Sequence, residues 1–86
     1  MKIIRISAVW CGACILNKRI WKKVLIDYPN LDVEEWDLDF DEDEVKKYNV
    51  GDILPVVIFM ENDKEVCRLI GEKTEEEIYK AIEENM

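Results

Sequence analysis

The chain has 86 residues, of which 49% are hydrophobic, and its net charge is −8. A chain of this length supports one hydrophobic core, so we expect a single domain over residues 1–86. Three cysteines are too few for the disulfide framework of a small secreted protein, and no stretch approaches the length of a membrane span. The N-terminal residues do not have the pattern of a signal peptide, so we expect a cytoplasmic location.

The charge is distributed unevenly. Residues 1–26 contain six basic side chains and no acidic ones, whereas residues 27–86 contain six basic and twenty acidic ones. The acidic part argues against nucleic-acid binding, because it would repel phosphates. The basic part either forms a solvated helix face or helps to hold a thiolate and steer an acidic partner. We favour the solvated face for Lys22 and Lys23.

The first 38 residues predict a strand, a helix and a second strand. Residues 2–7 are largely apolar and β-branched, which predicts a β-strand. From Cys14 to Tyr28 apolar residues recur at helical spacing, with lysines and arginines between them, which predicts an amphipathic helix. Leu31 to Leu38 predicts the second strand. Two strands joined by a helix are expected to be parallel.

A short helix and a buried strand are predicted next. Residues 41–48 form the helix, with Asp41 as its cap and Glu44 three residues further on. Residues 55–60 are an unbroken apolar run, which indicates a strand buried on both faces near the centre of the sheet. Pro55 is tolerated as the first residue of that strand.

The last part of the chain predicts a hairpin and a third helix. Residues 61–64 have turn composition, and residues 65–70 return as an edge strand that ends at Gly71. Thr74 and Glu77 have the spacing of a capping box, which starts a helix with an apolar face. The element order is therefore β-α-β-α-β-β-α, an α/β fold.

The pair Cys11 and Cys14 carries the chemistry. It has the C-x-x-C spacing and lies between the first strand and the first helix. A helix N-terminus favours a thiolate, because its N–H groups are unpaired and the helix dipole is positive there. Two thiols at this spacing can close into a disulfide and reopen. We therefore predict a redox site, with Cys11 more exposed and attacking and Cys14 resolving.

The sequence resembles the thioredoxin family. Trp10-Cys11-Gly12-Ala13-Cys14 is similar to the family's W-C-G-P-C, with alanine in place of proline, and Leu54-Pro55 is similar to its cis-proline segment. The family's N-terminal strand and helix have no counterpart, so the resemblance implies a minimal, glutaredoxin-sized version. The implied fold is a four-stranded mixed sheet, with two parallel strands followed by an antiparallel hairpin, and three helices.

The resemblance also implies a protein-disulfide reductase and electron carrier in cell redox homeostasis. Its partners would be disulfide-bearing proteins and an upstream reductase, and it would act as a monomer with no cofactor beyond the Cys11–Cys14 disulfide. The residues expected to bind the substrate chain are Trp10, Gly12, Ala13, Leu54, Pro55 and Gly71. Trp10 is either a flat shelf for the partner or a packed surface indole, and the Leu54–Pro55 bond is expected to be cis.

Two further positions depart from the family pattern. Arg5 stands where thioredoxins usually have a buried aspartate that accepts a proton during resolution, and Glu35 stands where they commonly have its lysine partner. One hypothesis is that the pair is exchanged in sign, with Glu35 or a water taking the proton. The alternative is that both side chains face solvent.

Three further interpretations concern the cysteines. A glutaredoxin that uses glutathione fits the size of the chain, although the sequence lacks that family's C-P-Y-C motif. A metal-binding C-x-x-C module fits poorly, because structural zinc usually takes four Cys or His ligands and the chain has three cysteines and no histidine. Cys67 is interpreted as a small buried hydrophobic residue rather than a third redox thiol.

Overall fold

A computed structural model describes residues 1–85 and places four strands in one sheet. The strands are β1 (Lys2–Ser7), β2 (Asp32–Asp37), β3 (Val56–Glu61) and β4 (Lys64–Ile70), and their order across the sheet is β2-β1-β3-β4. β1 and β2 are parallel, whereas β1–β3 and β3–β4 are antiparallel. The predicted mixed sheet is confirmed, with the apolar β3 inside the sheet and β4 at one edge.

Three helices complete the fold: α1 (Gly12–Asp27), α2 (Glu42–Lys46) and α3 (Glu75–Asn85). The element order is the predicted one. α1 begins two residues before the predicted start, because Cys11 caps it and Gly12 is already helical. Within residues 1–85, none of the helices is long and apolar enough to cross a membrane.

The two faces of the sheet bury separate clusters, because neighbouring residues of a strand point to opposite faces. On one face Ile3 and Phe59 pack with Trp21 of α1 and Ile78 of α3. On the other face Ile4 and Ile58 belong to a cluster that also holds Val45 of α2 and both cysteines of the motif. The thiols therefore lie at one end of the sheet, against its α2 face.

The apolar stripe of α1 differs from the predicted one. Trp21 and Val24 are completely buried, as the helical spacing predicted, but Ile15 and Leu16 are about half exposed. Asn17 is buried instead. In its first turns the buried face of α1 holds Cys14 and Asn17, so Ile15 and Leu16 lie outside that face and stay at the surface.

The two predicted helix caps have different outcomes. The Thr74–Glu77 capping box is confirmed: the Glu77 N–H donates to the Thr74 hydroxyl, and the Thr74 N–H donates to the Glu77 carboxylate. Asp41 precedes α2, but its side chain makes no capping hydrogen bond there. Its carboxylate instead accepts the backbone N–H of Asp37 at 2.8 Å, which ties α2 to the end of β2.

The β3–β4 hairpin turns where the sequence predicted. Asn62 and Asp63 both have positive φ, 53° and 64°, which is the conformation of a two-residue type I′ turn. Small polar side chains tolerate this region of the backbone better than apolar ones do. The hairpin brings Gly71, at the end of β4, back to the start of β3.

Candidate active site

Cys11 is the N-cap of α1. Its backbone is extended, with φ −92° and ψ 110°, and its Sγ accepts the backbone N–H of Cys14 at 3.3 Å. The first turn of α1 contains no acidic residue. The Cys11 sulfur therefore lies at the positive end of the helix, where an anion is stabilised.

The structure does not show the predicted difference in exposure between the two thiols. Cys11 is 8% exposed and Cys14 is 6% exposed, and both are free thiols. Their surroundings differ instead. Burial, followed by the hydrogen bond with Cys11, raises the pKa of Cys14 to about 11, whereas the backbone hydrogen bond with Ala8 and then the charge of Arg5 oppose this rise. Cys14 is thus a thiol that stays protonated at neutral pH.

Trp10 projects from the surface beside the cysteines. It is 63% exposed, and its Nε1–H donates to the Asp39 carboxylate at 2.8 Å. The ring is exposed rather than packed, and its role as a shelf for a partner stays a prediction. Its neighbour Val9 is also exposed.

The proline segment lies next to the thiols, as the sequence predicted. The Leu54–Pro55 bond is cis, and Leu54 belongs to the same buried cluster as Cys11 and Cys14. Gly71 is joined to this segment, because its N–H donates to the Pro55 carbonyl at 2.9 Å. At φ +84° Gly71 has a conformation that favours glycine, and a Cβ there would lie 3.2 Å from Ile53.

Gly12 and Ala13 separate the thiols within the first turn. A Cβ at Gly12 would meet no atom within 4 Å, so a side chain there would extend into solvent. Ala13 packs against the cluster that contains the cysteines. All six residues predicted to bind substrate therefore lie near the thiols or beside the proline segment.

Sequence interpretation overlooked Ile53 as a residue of this surface. It is 61% exposed and lies between the proline segment and Gly71. Its position before Leu54-Pro55, in a stretch without helical or strand periodicity, was the available signal.

Arg5 and Glu35 form an ion pair. They face each other in the register of β1 and β2, and Arg5 Nη1 lies 2.5 Å from Glu35 Oε1. Arg5 is only 7% exposed, so the interpretation that both side chains face solvent is wrong for Arg5. The Glu35 side chain is 54% exposed. Burial lowers the pKa of Arg5, and the charge of Glu35 opposes this effect.

A cleft of about 340 Å³ opens beside Cys14. Its lining includes Arg5, Ser7, Cys14, Lys18, Glu35 and Asp37. The Arg5–Glu35 ion pair therefore borders the same cleft as Cys14.

Cys67 lies elsewhere. It is opposite Phe59 in the β3–β4 register and packs against the cluster on the other face of the sheet. It is partly buried, which is consistent with a small hydrophobic role. Residues 1–85 also contain no group of three or more His, Cys, Asp or Glu side chains arranged to hold a metal ion.

Comparison with known proteins also indicates a thioredoxin. The family model described as Thioredoxin matches residues 1–84. Thioredoxin of Chlamydia trachomatis serovar D is 28% identical over 80 residues, which cover 93% of this chain and 78% of that protein. Thioredoxin H5 of Oryza sativa subsp. japonica is 29% identical over 69 residues, or 80% of this chain, and the chain spans only 50% of that protein.

Solved structures have the same fold. Fasciola hepatica thioredoxin superposes with a TM-score of 0.88 and 24% identity, covering 99% of this chain and 80% of that one. Oxidised mitochondrial thioredoxin 3 of Saccharomyces cerevisiae gives 0.85 and 23%, covering 96% and 76%. Because the family model matches almost the whole chain and the fold agrees, this protein belongs to the thioredoxin family, whose members are generally disulfide oxidoreductases.

Proposed function

We propose that this protein reduces protein disulfides by dithiol exchange, with Cys11 attacking and Cys14 resolving. The placement of Cys11 supports the proposal most directly: its sulfur caps α1 and accepts the Cys14 N–H at 3.3 Å. A sulfur in this position is stabilised as a thiolate by the helix N-terminus. Cys14 is one turn further along the same helix and within reach of Cys11.

The reaction has two exchanges. The Cys11 thiolate attacks one sulfur of the substrate disulfide, a mixed disulfide forms, and the other substrate sulfur leaves with the electron pair. Cys14 then loses its proton and attacks Cys11, which forms the Cys11–Cys14 disulfide and releases the second substrate thiol. The substrate gains two electrons and two protons, and the protein is oxidised.

The exposed surface around the thiols supports a protein substrate. Trp10, next to Cys11, and Ile53, next to Leu54, are exposed apolar side chains, and Leu54 shares a buried cluster with the thiols. An upstream reductase must then regenerate the dithiol. The proposal includes a cytoplasmic location and a monomeric state.

The proposal is tested with a disulfide-linked protein such as insulin. Cys11→Ser is expected to abolish reduction. Cys14→Ser is expected to accumulate a covalent mixed disulfide through Cys11, detectable by mass spectrometry. Cys67→Ser is the matched control and is expected to retain activity. Full activity of Cys11→Ser would contradict the proposal.

A redox titration of the Cys11–Cys14 pair in glutathione and dithiothreitol buffers distinguishes a thioredoxin-type reductant from glutathione. A reduction potential of about −270 mV for the pair is expected with a thioredoxin-type reductant. A value near about −200 mV would instead indicate the glutaredoxin-like, glutathione-coupled alternative.

A further inference from the structure

Arg5 is a buried cation among apolar side chains on the core side of β1. It lies on β1 on the same face as Ile3, and its Cζ is 5.4 Å from the centroid of the Trp21 ring. Only 7% of the residue is exposed. Removing a guanidinium from water costs free energy unless it is well paired, so a cation here requires a physical explanation.

Its pairing is incomplete within residues 1–85. Nη1 donates to Glu35, but Nε is buried and has no hydrogen-bond partner among the described residues. The Glu35 side chain is more than half exposed, so part of its charge is screened by solvent. The positive charge of Arg5 is therefore only partly neutralised where it lies.

Cys14 borders the same cleft as the guanidinium. The other charged or titratable groups near Cys14 are Cys11 and Lys18 of the α1 segment, Glu35 and Asp37 of β2, and Asp41 before α2. The carboxylates of Asp37 and Asp41 already accept backbone N–H groups at 2.8 to 3.0 Å. Lys18 is exposed. Arg5 is thus the buried positive charge on this side of Cys14.

We propose that Arg5 is a positioning residue for the second exchange, in which its guanidinium, held by Glu35, stabilises the thiolate of Cys14. In that exchange the Cys14 proton passes to water in the cleft, and the thiolate attacks the Cys11 sulfur. The Cys11–Cys14 bond forms as the bond from Cys11 to the substrate breaks, and the substrate sulfur leaves with the electron pair and takes a proton from solvent. The inference rests on the proposed function, because it assigns a role within the same cycle.

The electrostatics of Cys14 agree with this role. Burial and the hydrogen bond with Cys11 raise the pKa of its thiol, whereas the backbone hydrogen bond with Ala8 and, to a smaller extent, the Arg5 charge lower it. A pKa higher by one corresponds to about tenfold less thiolate at neutral pH. The rate of the second exchange should follow that fraction.

The test measures each exchange separately, with a small aromatic disulfide that releases a coloured thiol. In stopped flow, attack by Cys11 gives a phase that depends on reagent concentration, and resolution by Cys14 gives a phase that does not. All variants carry Cys67→Ala so that a third thiol does not react. The pH dependence of the second phase reports the ionisation of Cys14.

Arg5→Met removes the charge while keeping a side chain of similar length. We expect the second phase to be about tenfold slower at pH 7, with its pH profile displaced to higher pH and the first phase changed by less than about twofold. Arg5→Lys is expected to restore most of the rate. Glu35→Gln is expected to act in the opposite direction, with faster resolution and a profile displaced to lower pH, because the guanidinium is no longer neutralised.

A purely structural role would not produce opposite shifts in the two variants. An unchanged second phase in folded Arg5→Met, or slower resolution in both Arg5→Met and Glu35→Gln, would overturn the inference. Thermal unfolding of each variant verifies that it is folded. If Arg5→Met does not fold, the rate and pH profile of Glu35→Gln still test the inference. Failure of insulin reduction would contradict the proposed function alone, because these rates require no protein substrate.

Discussion

Two helices of this protein begin in contrasting ways. α3 begins with Thr74 and Glu77 in a reciprocal capping box, and its first turn carries three glutamates. The hydrogen bonds from Thr74 hold the pKa of the Glu77 carboxyl below its usual range. α1 begins with Cys11, has no acid in its first turn, and its cap is a sulfur.

The difference shows what each helix start does. At α3, carboxylates occupy the positive end of the helix and stabilise it. At α1, that end is left to a side chain that can become an anion during a reaction. A helix end already occupied by acidic side chains could not stabilise an additional thiolate. The start of α3 therefore favours stability of the helix, whereas the start of α1 favours reactivity of the thiol.

The start of α1 can act in this way only while α1 packs against the sheet. We therefore expect the largest effect, on the free energy of unfolding, from replacing a buried residue of α1. Trp21 is completely buried. We expect Trp21→Ala to lower the free energy of unfolding by about 3–5 kcal/mol, through lost burial and a cavity. Urea denaturation measures this change. Ile26→Ala, on the exposed side of the same helix, is the control and should change it by less than about 0.5 kcal/mol.

Exchanging each cap for alanine should separate stability from activity. Thr74→Ala is expected to cost about 1 kcal/mol of stability and to leave disulfide reduction unchanged. Cys11→Ala is expected to cost less, because a thiol sulfur is a weak acceptor, and to abolish reduction. Urea denaturation of the reduced proteins and the insulin assay measure the two effects. Equal loss of activity in both variants would contradict the different roles of the two caps.

An acid placed in the first turn of α1 should make it resemble α3. A Cβ at Gly12 would meet no atom within 4 Å, so we expect Gly12→Glu to be sterically tolerated. We expect Cys11 to react with a small alkylating reagent about two- to fivefold more slowly than in Gly12→Gln, since the carboxylate competes for the helix field. Gly12→Gln is the matched control. Equal rates in the two variants would show that the first-turn charge does not matter.

The smallest predicted effect is a dependence of stability on pH at the thiol site. Burial raises the pKa of Cys14 from 9.0 to about 11 in the folded protein. Folding therefore favours the protonated thiol, so the stabilisation is complete below pH 9 and is lost as the pH rises towards 11. The stability of the reduced protein relative to Cys14→Ser should fall over this range in denaturation experiments. A constant difference would contradict the raised pKa.

Local patterns in the sequence were sufficient for most of the fold. The apolar run 55–60, the turn at 61–64 and the spacing of Thr74 and Glu77 each predicted an element that the structure contains. These signals depend on neighbouring residues, so they can be interpreted without knowledge of the rest of the chain. The C-x-x-C spacing before a helical pattern likewise located the thiols.

The errors came from residues whose partners are not specified by the local sequence pattern. Asp41 was predicted to cap its own helix, but its carboxylate is taken by the backbone of Asp37. Ile15 and Leu16 follow the helical period yet remain about half exposed, because the buried face of the first turns of α1 holds Cys14 and Asn17 instead. Periodicity identifies a helix but does not specify how much of its apolar face has a partner.

The sequence by itself determined the element order, the position of the redox motif and the resemblance to thioredoxins, because these follow from short-range spacing and residue type. Only the tertiary structure decided that Arg5 is buried, that it pairs with Glu35 and that both border the cleft beside Cys14. Those facts depend on the register of β1 against β2 and on the packing of α1 over the sheet. Burial and the distance between charges determine the ionisation of a thiol, and both are properties of the folded chain.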